Sequence, residues 1–236
     1  MQIIIVLSLL MSAFQPVAVQ PPKRLLVLGN SLVLSPPDPL YDWWGYWGMA
    51  ATDADHDFAH VLQGQLSGFY RAPVDLRARH VKPIETRPDK FSLKQYRDEI
   101  KWGADIVVVR MGDNVGSNEG IRQAYYAQMQ ELIEAVTKPG ALLICTGRWY
   151  PEATVDAEQR AICEAHGGRW VVIADMYSES KYFAASEGNY SDEGVASHPG
   201  DVGHAEIAAR IYQAIAQPPV FVPMAFGPLA SPLSQP

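Results

Sequence analysis

Leu25-Leu26-Val27-Leu28-Gly29-Asn30-Ser31 is an aliphatic run that ends on glycine and two small polar residues. A short apolar run bounded by a turn signal reads as a buried strand, here stopping at Gly29. The pattern recurs at residues 106–111, which are largely β-branched and end at Gly112. It recurs again at 142–145, with further strands expected at 73–77 and 170–174. Helical spacing fills the intervals. Phe58, Val61, Leu62, Leu66 and Phe69 mark a helix over 52–69 with Thr52 and Asp53 as caps. A short helix is expected over 90–102. Ile121, Tyr125, Met129, Leu132, Ile133 and Val136 line one face of a long helix stopped at Pro139-Gly140. A further helix covers 154–166, and Ile207, Ala208, Ile211, Tyr212 and Ile215 mark the last, with Asp201 as its cap. Alternating strands and helices predict an α/β domain: a three-layer α/β/α, flavodoxin-like fold on a five-stranded parallel sheet. Sites in such sheets lie beyond the carboxyl ends of the strands, so the loops after residues 29, 111, 147 and 175 carry the chemistry.

Composition sets the outer limits. The 236 residues hold 19 Lys and Arg against 26 Asp and Glu, a net charge of −7, and none of these side chains falls in residues 1–20 or 217–236. The negative balance argues against nucleic acid and anionic membrane as partners, because both reward clustered cations. Hydrophobic residues at 48% and aromatics at 10% exclude a disordered chain. Two cysteines are too few for a disulfide framework, and Cys145 and Cys163 read as buried thiols on a strand and its neighbouring helix, their pairing left open. The apolar run at 3–14, followed by Pro16 and Ala18, predicts a signal peptide over 1–20. The domain then spans 21–216, in a secreted or periplasmic protein with no stable membrane insertion after cleavage. The final stretch, 217–236, holds six of the 18 prolines and reads as a tail.

The loops predicted to carry chemistry hold a coherent set of residues. Ser31 sits on the turn after the first strand, where a hydroxyl and a free backbone N–H suit a nucleophile that also helps bind an oxyanion. Asn114, in Gly112-Asp113-Asn114, offers a side-chain donor, and Gly48 a backbone one. His198 precedes the last helix. Pro199 biases it toward extended backbone, and the helix N-terminus disfavours a positive imidazole, as a general base requires.

These four residues, Ser31, Gly48, Asn114 and His198, match those that name the SGNH or GDSL-type hydrolases. Gly29-Asn30-Ser31 resembles the first block of that family, Gly112-Asp113-Asn114 the third, and His198-Pro199-Gly200-Asp201-Val202-Gly203 the last, over residues 25–216. Trp47-Gly48-Met49-Ala50-Ala51 looks like a subgroup associated with carbohydrate esterases. The resemblance implies a serine ester hydrolase: Ser31 as nucleophile, His198 as base, and Ser31, Gly48 and Asn114 around the oxyanion. It implies no metal or organic cofactor, and a small-molecule or polysaccharide ester as substrate. Two positions depart from the pattern. Asn30 stands where the family usually has Asp, and Val195 where it has the Asp that orients the histidine. Either a backbone carbonyl holds His198, or a carboxylate arrives from Asp192, Glu193 or Asp175.

Aromatic residues crowd the segment from Tyr41 to Trp47. Trp43 or Trp44 is expected to reach the substrate, Trp47 to pack in the core, and Trp149 with Tyr150 to form another wall. His56 and His60 share a helix face as zinc ligands do, but His-Asp at 56–57 lacks the catalytic Glu and the pair reads as surface histidines beside acids. The set His198, Asp201 and His204 likewise reads as helix start rather than metal site. Two other functions fit the same residues: a lipase, aryl esterase or acyltransferase on this site, or a catalytically impaired, glycan-binding homologue, for which Val195 is the main support.

Overall fold

The structure, a computed structural model, describes residues 24–217. The expected leader and, apart from Gln217, the expected tail lie outside the described residues. Five parallel strands form one sheet: β1 (Arg24–Gly29), β2 (Asp75–His80), β3 (Ile106–Arg110), β4 (Leu142–Thr146) and β5 (Arg169–Val171). Their order is β2-β1-β3-β4-β5. The chain steps from β1 outward to β2 and returns to β3 on the other side, so the switch point lies between β1 and β3. Successive side chains of a strand point to opposite faces. Leu25 and Val27 therefore join one core, with α1 (Phe58–Tyr70) and the C-terminal Asp201–Ala216 helix, while Leu26 and Leu28 join the other. That second core is covered by α2 (Lys82–Thr86), α3 (Arg97–Trp102), α4 (Glu119–Val136) and α5 (Ala153–Ala165). A short α6 (Glu193–Ala196) precedes α7, the Asp201–Ala216 helix.

The fold class is the expected one, and the differences lie at element ends. Helix α1 starts at Phe58 on an Asp57 cap, because Asp53 caps a separate 3-10 turn at Ala54–His56 and Thr52 donates to Asp201 from both N–H and Oγ1. Asp201 is thus inside α7 rather than its cap. The first amides of that helix, Asp201 N–H and Val202 N–H, donate to Glu187 instead. Strand β2 begins two residues late and β5 ends at Val171, with Ala174 already in a 3-10 turn. Helices α2 and α6 escape sequence reading because five and four residues are too few to display a 3.6-residue period. Cys145 on β4 and Cys163 on α5 are joined in a disulfide, which binds strand to helix under the second core.

Gly29 fixes how closely the two strands at the switch point approach. A Cβ there would lie 2.0 Å from the Arg110 carbonyl oxygen and 2.4 Å from Val33 Cγ2. The contact is with backbone, which cannot swing aside. Gly29→Ala should cost at least about 3 kcal/mol of stability, the upper range for overpacking. Chemical denaturation monitored by circular dichroism measures it, and a loss under about 1 kcal/mol would mean that β1 and β3 can part.

Candidate active site

Loops from the carboxyl end of the sheet surround one cleft of about 410 Å³. Ser31 enters it from the turn after β1, where the Val33 and Leu34 N–H groups donate to the Asn30 carbonyl oxygen. His198 enters from the segment between α6 and α7. Ser31 Oγ lies 3.0 Å from His198 Nε2. On the far side of the ring, Nδ1 donates to the Gly194 carbonyl oxygen at 2.8 Å. A carbonyl only accepts, so Nδ1 carries the proton and the Nε2 lone pair faces the serine hydroxyl. Desolvation pushes the His198 pKa down to about 4, against the raising effect of the Gly194 bond. The imidazole is therefore neutral near pH 7 and able to take a proton.

Two donors face the same space. The Ser31 N–H has no acceptor among the described residues. Asn114 lines the cleft and spends one Nδ2 proton on Glu85 Oε2 at 2.6 Å, which leaves the other available. Tyr150 and Tyr41 form part of the wall, with His80, Lys82 and Met49. The Tyr150 ring stands edge-on to His198, centroids 6.2 Å apart, and its hydroxyl meets Ser197 Oγ at 2.8 Å.

Beneath the serine turn lies a buried polar cluster. Asn30 Nδ2 donates to Asp113 Oδ2 at 2.8 Å and to Glu85 Oε1 at 3.1 Å, and its Oδ1 accepts from Leu32 N–H and Arg110 Nη1. Arg110, fully buried on β3, pairs with Asp113 through the same Nη1. Asp113 Oδ1 accepts the N–H groups of Trp149 and Tyr150. Burial alone would raise the Asp113 pKa, but Arg110, Asn30 and the Tyr150 N–H together hold it below the usual carboxylate value. Glu85 differs: burial and the Asp113 charge push its pKa up, against the pull of N–H donors from Gly112 and Asn114.

No family model and no curated sequence matches the chain. Solved structures do. A two-domain esterase active on acetylated mannans, co-crystallized with mannopentaose, superimposes with a TM-score of 0.51 at 13% identity, over 82% of this chain and 49% of that one. A GDSL-like lipase from Bacteroides uniformis gives 0.51 at 14%, over 82% and 95% of the two chains. A family two carbohydrate esterase from Clostridium thermocellum gives 0.50 at 14%, over 85% and 66%. The fold is that of the SGNH hydrolases. The chain spans about half the length of the two-domain esterase it matches.

Against the SGNH pattern, several expectations need correction. Gly48 does not face the cleft as a donor: its N–H is given to Asp57 Oδ2 at 3.0 Å. The glycine is required for space instead, since a Cβ would lie 2.6 Å from the Leu32 carbonyl oxygen and 2.9 Å from both Asp57 and His204. Asp192 does not orient His198. Its Oδ1 accepts the Val195 N–H at 2.9 Å as the cap of α6, and the Gly194 carbonyl holds the imidazole. Asp175 is engaged by Arg210. None of the expected tryptophans lines the cleft. Trp43 is buried against Trp47 and Tyr190 with its indole donating to Ser35, because bridges at Asp38–Trp43 and Ser35–Trp47 fold this segment back on itself. Trp44 is exposed, its indole held by Asp42. Trp149 is fully buried and donates to the Ser197 carbonyl, so it supports the histidine loop while Tyr150 forms the wall. The histidines set aside as ligands are otherwise occupied: His56 by Asp53, His60 by Asp57, and the buried His204 between Phe58 N–H and the Met49 carbonyl.

Glu85 and Arg110 are absent from the sequence reading. Arg110 carries a visible signal, a lone cation closing the aliphatic run of β3. Glu85 carries none, since a glutamate in a charged, proline-flanked stretch looks like surface.

The cluster explains Asn30. Standing between two carboxylates, it donates a proton to each, which Asp could not do. Asn30→Asp should therefore cost about 3 kcal/mol at pH 7, from two lost bonds and a third buried carboxyl. The new carboxyl would have its folded pKa raised above the unfolded value of about 3.9, so the charge part of the penalty is absent below that pH and grows as pH rises, while the lost hydrogen bond remains. Melting temperatures should diverge between pH 4 and pH 7, and a constant gap would contradict the charge explanation.

Proposed function

We propose that this protein is a secreted serine ester hydrolase that removes small O-acyl groups from carbohydrate esters. The observation that carries the reading is the 3.0 Å approach of Ser31 Oγ to a neutral His198 whose Nε2 lone pair faces it. Ser31 attacks the ester carbonyl carbon as His198 Nε2 takes the hydroxyl proton. The resulting oxyanion is held by the Ser31 N–H and the Asn114 amide. Collapse of the tetrahedral intermediate breaks the ester C–O bond, and His198 returns its proton to the departing sugar oxygen. Water then attacks the acyl-serine with His198 again as base, releasing the carboxylic acid and restoring Ser31.

The substrate class draws on the cleft and on the matched structures. The cleft volume is in the range of small-ligand sites, and Tyr41 and Tyr150 offer ring faces suited to the apolar side of a sugar. Matched structures include an esterase active on acetylated mannans and a carbohydrate esterase bound to cellohexaose. Secretion draws on the apolar leader and on the Cys145–Cys163 disulfide, a bond that persists in oxidising compartments. Among the described residues no helix is long and apolar enough to cross a membrane. A glycan-binding protein without turnover is the second reading. It is favoured by the Gly48 N–H being spent on Asp57 and by a carbonyl where a carboxylate usually orients the histidine.

Purified protein should hydrolyse p-nitrophenyl acetate and release acetate from acetylated polysaccharides, and Ser31→Ala should lower turnover at least about 10³-fold. Sugar binding with no turnover on any ester would favour the second reading, and a preference for octanoyl over acetyl esters would favour a lipase. The acid limb of kcat/KM should lie near pH 4, where His198 gains its proton. A limb at about 6.5, the value of an unperturbed imidazole, would contradict the desolvated histidine. Asp192→Asn should leave kcat within about threefold, since Asn caps a helix as well as Asp does; a large loss would restore Asp192 to the histidine.

A further inference from the structure

Glu85 is a buried carboxylate with no part in the mechanism above, yet its four hydrogen bonds reach both halves of the site. Oε1 accepts the Gly112 N–H at 2.7 Å and Asn30 Nδ2 at 3.1 Å. Oε2 accepts the Asn114 N–H at 2.9 Å and Asn114 Nδ2 at 2.6 Å. All four partners donate, so the group binds them as a carboxylate. Asn30 is the residue before the nucleophile, on the turn after β1. Gly112 and Asn114 belong to the turn after β3. Glu85 itself comes from α2, after β2. One side chain from the outer strand's loop therefore joins the two loops that flank the switch point.

We propose that Glu85 is a positioning residue for the oxyanion pocket: by holding both the backbone N–H and the side-chain amide of Asn114, it aims the second Nδ2 proton at the cleft, in register with Ser31. The assignment rests on the hydrolase reading above. With the Asn114 backbone N–H and Nδ2 both held by Oε2, the amide is kept with its nitrogen toward Glu85. With a free χ2 the amide could turn its carbonyl oxygen toward the substrate and repel the developing negative charge. With Gly48 committed to Asp57, Ser31 and Asn114 are what remains of the three expected oxyanion donors, so the orientation of Asn114 weighs heavily. A donor fixed before the reaction costs no reorganisation when charge develops, and removing one such donor lowers kcat about 10²–10³-fold.

The test uses p-nitrophenyl acetate with wild type, Ser31→Ala, Glu85→Gln, Glu85→Asp, Asn114→Ala and the Glu85→Gln/Asn114→Ala double variant, each checked for folding by thermal melt. Glu85→Gln should lower kcat about 10- to 100-fold, a fraction of the loss of a whole donor, with KM within about threefold. Glu85→Asp keeps the charge but withdraws it by one methylene and should show the same split, so it carries the test if the Gln variant does not fold. In the Asn114→Ala background, Glu85→Gln should add less than about twofold, because the donor it positions is gone. Unchanged kcat in folded Glu85 variants, or losses that multiply in the double variant, would overturn the assignment while leaving the hydrolase reading intact. Absence of any Ser31-dependent turnover in wild type would overturn both.

Discussion

Two carboxylates, Glu85 and Asp113, are buried side by side under the turn that carries Ser31, and the local structure answers to their presence. In a low-dielectric interior an unpaired carboxylate is costly, and two together more so. The chain meets this demand with one buried guanidinium from β3, one asparagine that donates to both acids, and backbone N–H groups from the loops after β3 and β4. Each of these partners must be held at hydrogen-bond distance, so satisfying the two charges also fixes the loops. The close approach of Gly29 to the Arg110 carbonyl draws β1 and β3 together above this cluster. A serine placed on such a turn has little freedom to wander.

The histidine side of the site is built by different means. A carboxylate beside an imidazole both orients it and stabilises its cation. The Gly194 carbonyl does the first and only weakly the second, and burial then drives the His198 pKa down to about 4. The result is a base that is always ready near neutral pH but holds its proton poorly. In the proposed reaction such a base suits esters, whose alkoxide leaving group takes the proton back readily. The carbonyl is presented by α6, a single turn capped by Asp192 and anchored by the buried Val195. The valine that stands in the acid's usual place is thus part of what holds the substitute acceptor in position.

The five strands, the helices on both faces and the loops at the carboxyl end of the sheet were legible because they follow from periodicity. Four aliphatic residues ending at Gly29 read as a buried strand, and alternation of strand with helix leaves few topologies. The placing of Ser31, Asn114 and His198 on loops around one cleft was legible because each follows a strand or precedes the last helix. Trp43 was not. Whether a ring on a loop turns inward depends on backbone bridges such as Ser35–Trp47, which pair residues by position rather than by type. Glu85 was invisible for a related reason: its partners lie on other loops, and a glutamate is exposed unless something distant supplies donors.

By itself, then, the sequence determined the parallel sheet and the loops on which Ser31, Asn114 and His198 sit, because those depend on the local alternation of apolar and polar residues. Tertiary structure alone decided what each polar group is bonded to. It gave the Gly48 N–H to Asp57, the His198 ring to a carbonyl, and Asn30 to two acids. Hydrogen bonds have short reach and fixed direction, so their partners are chosen only when segments far apart in the chain are brought within 3 Å, roughly the length of such a bond.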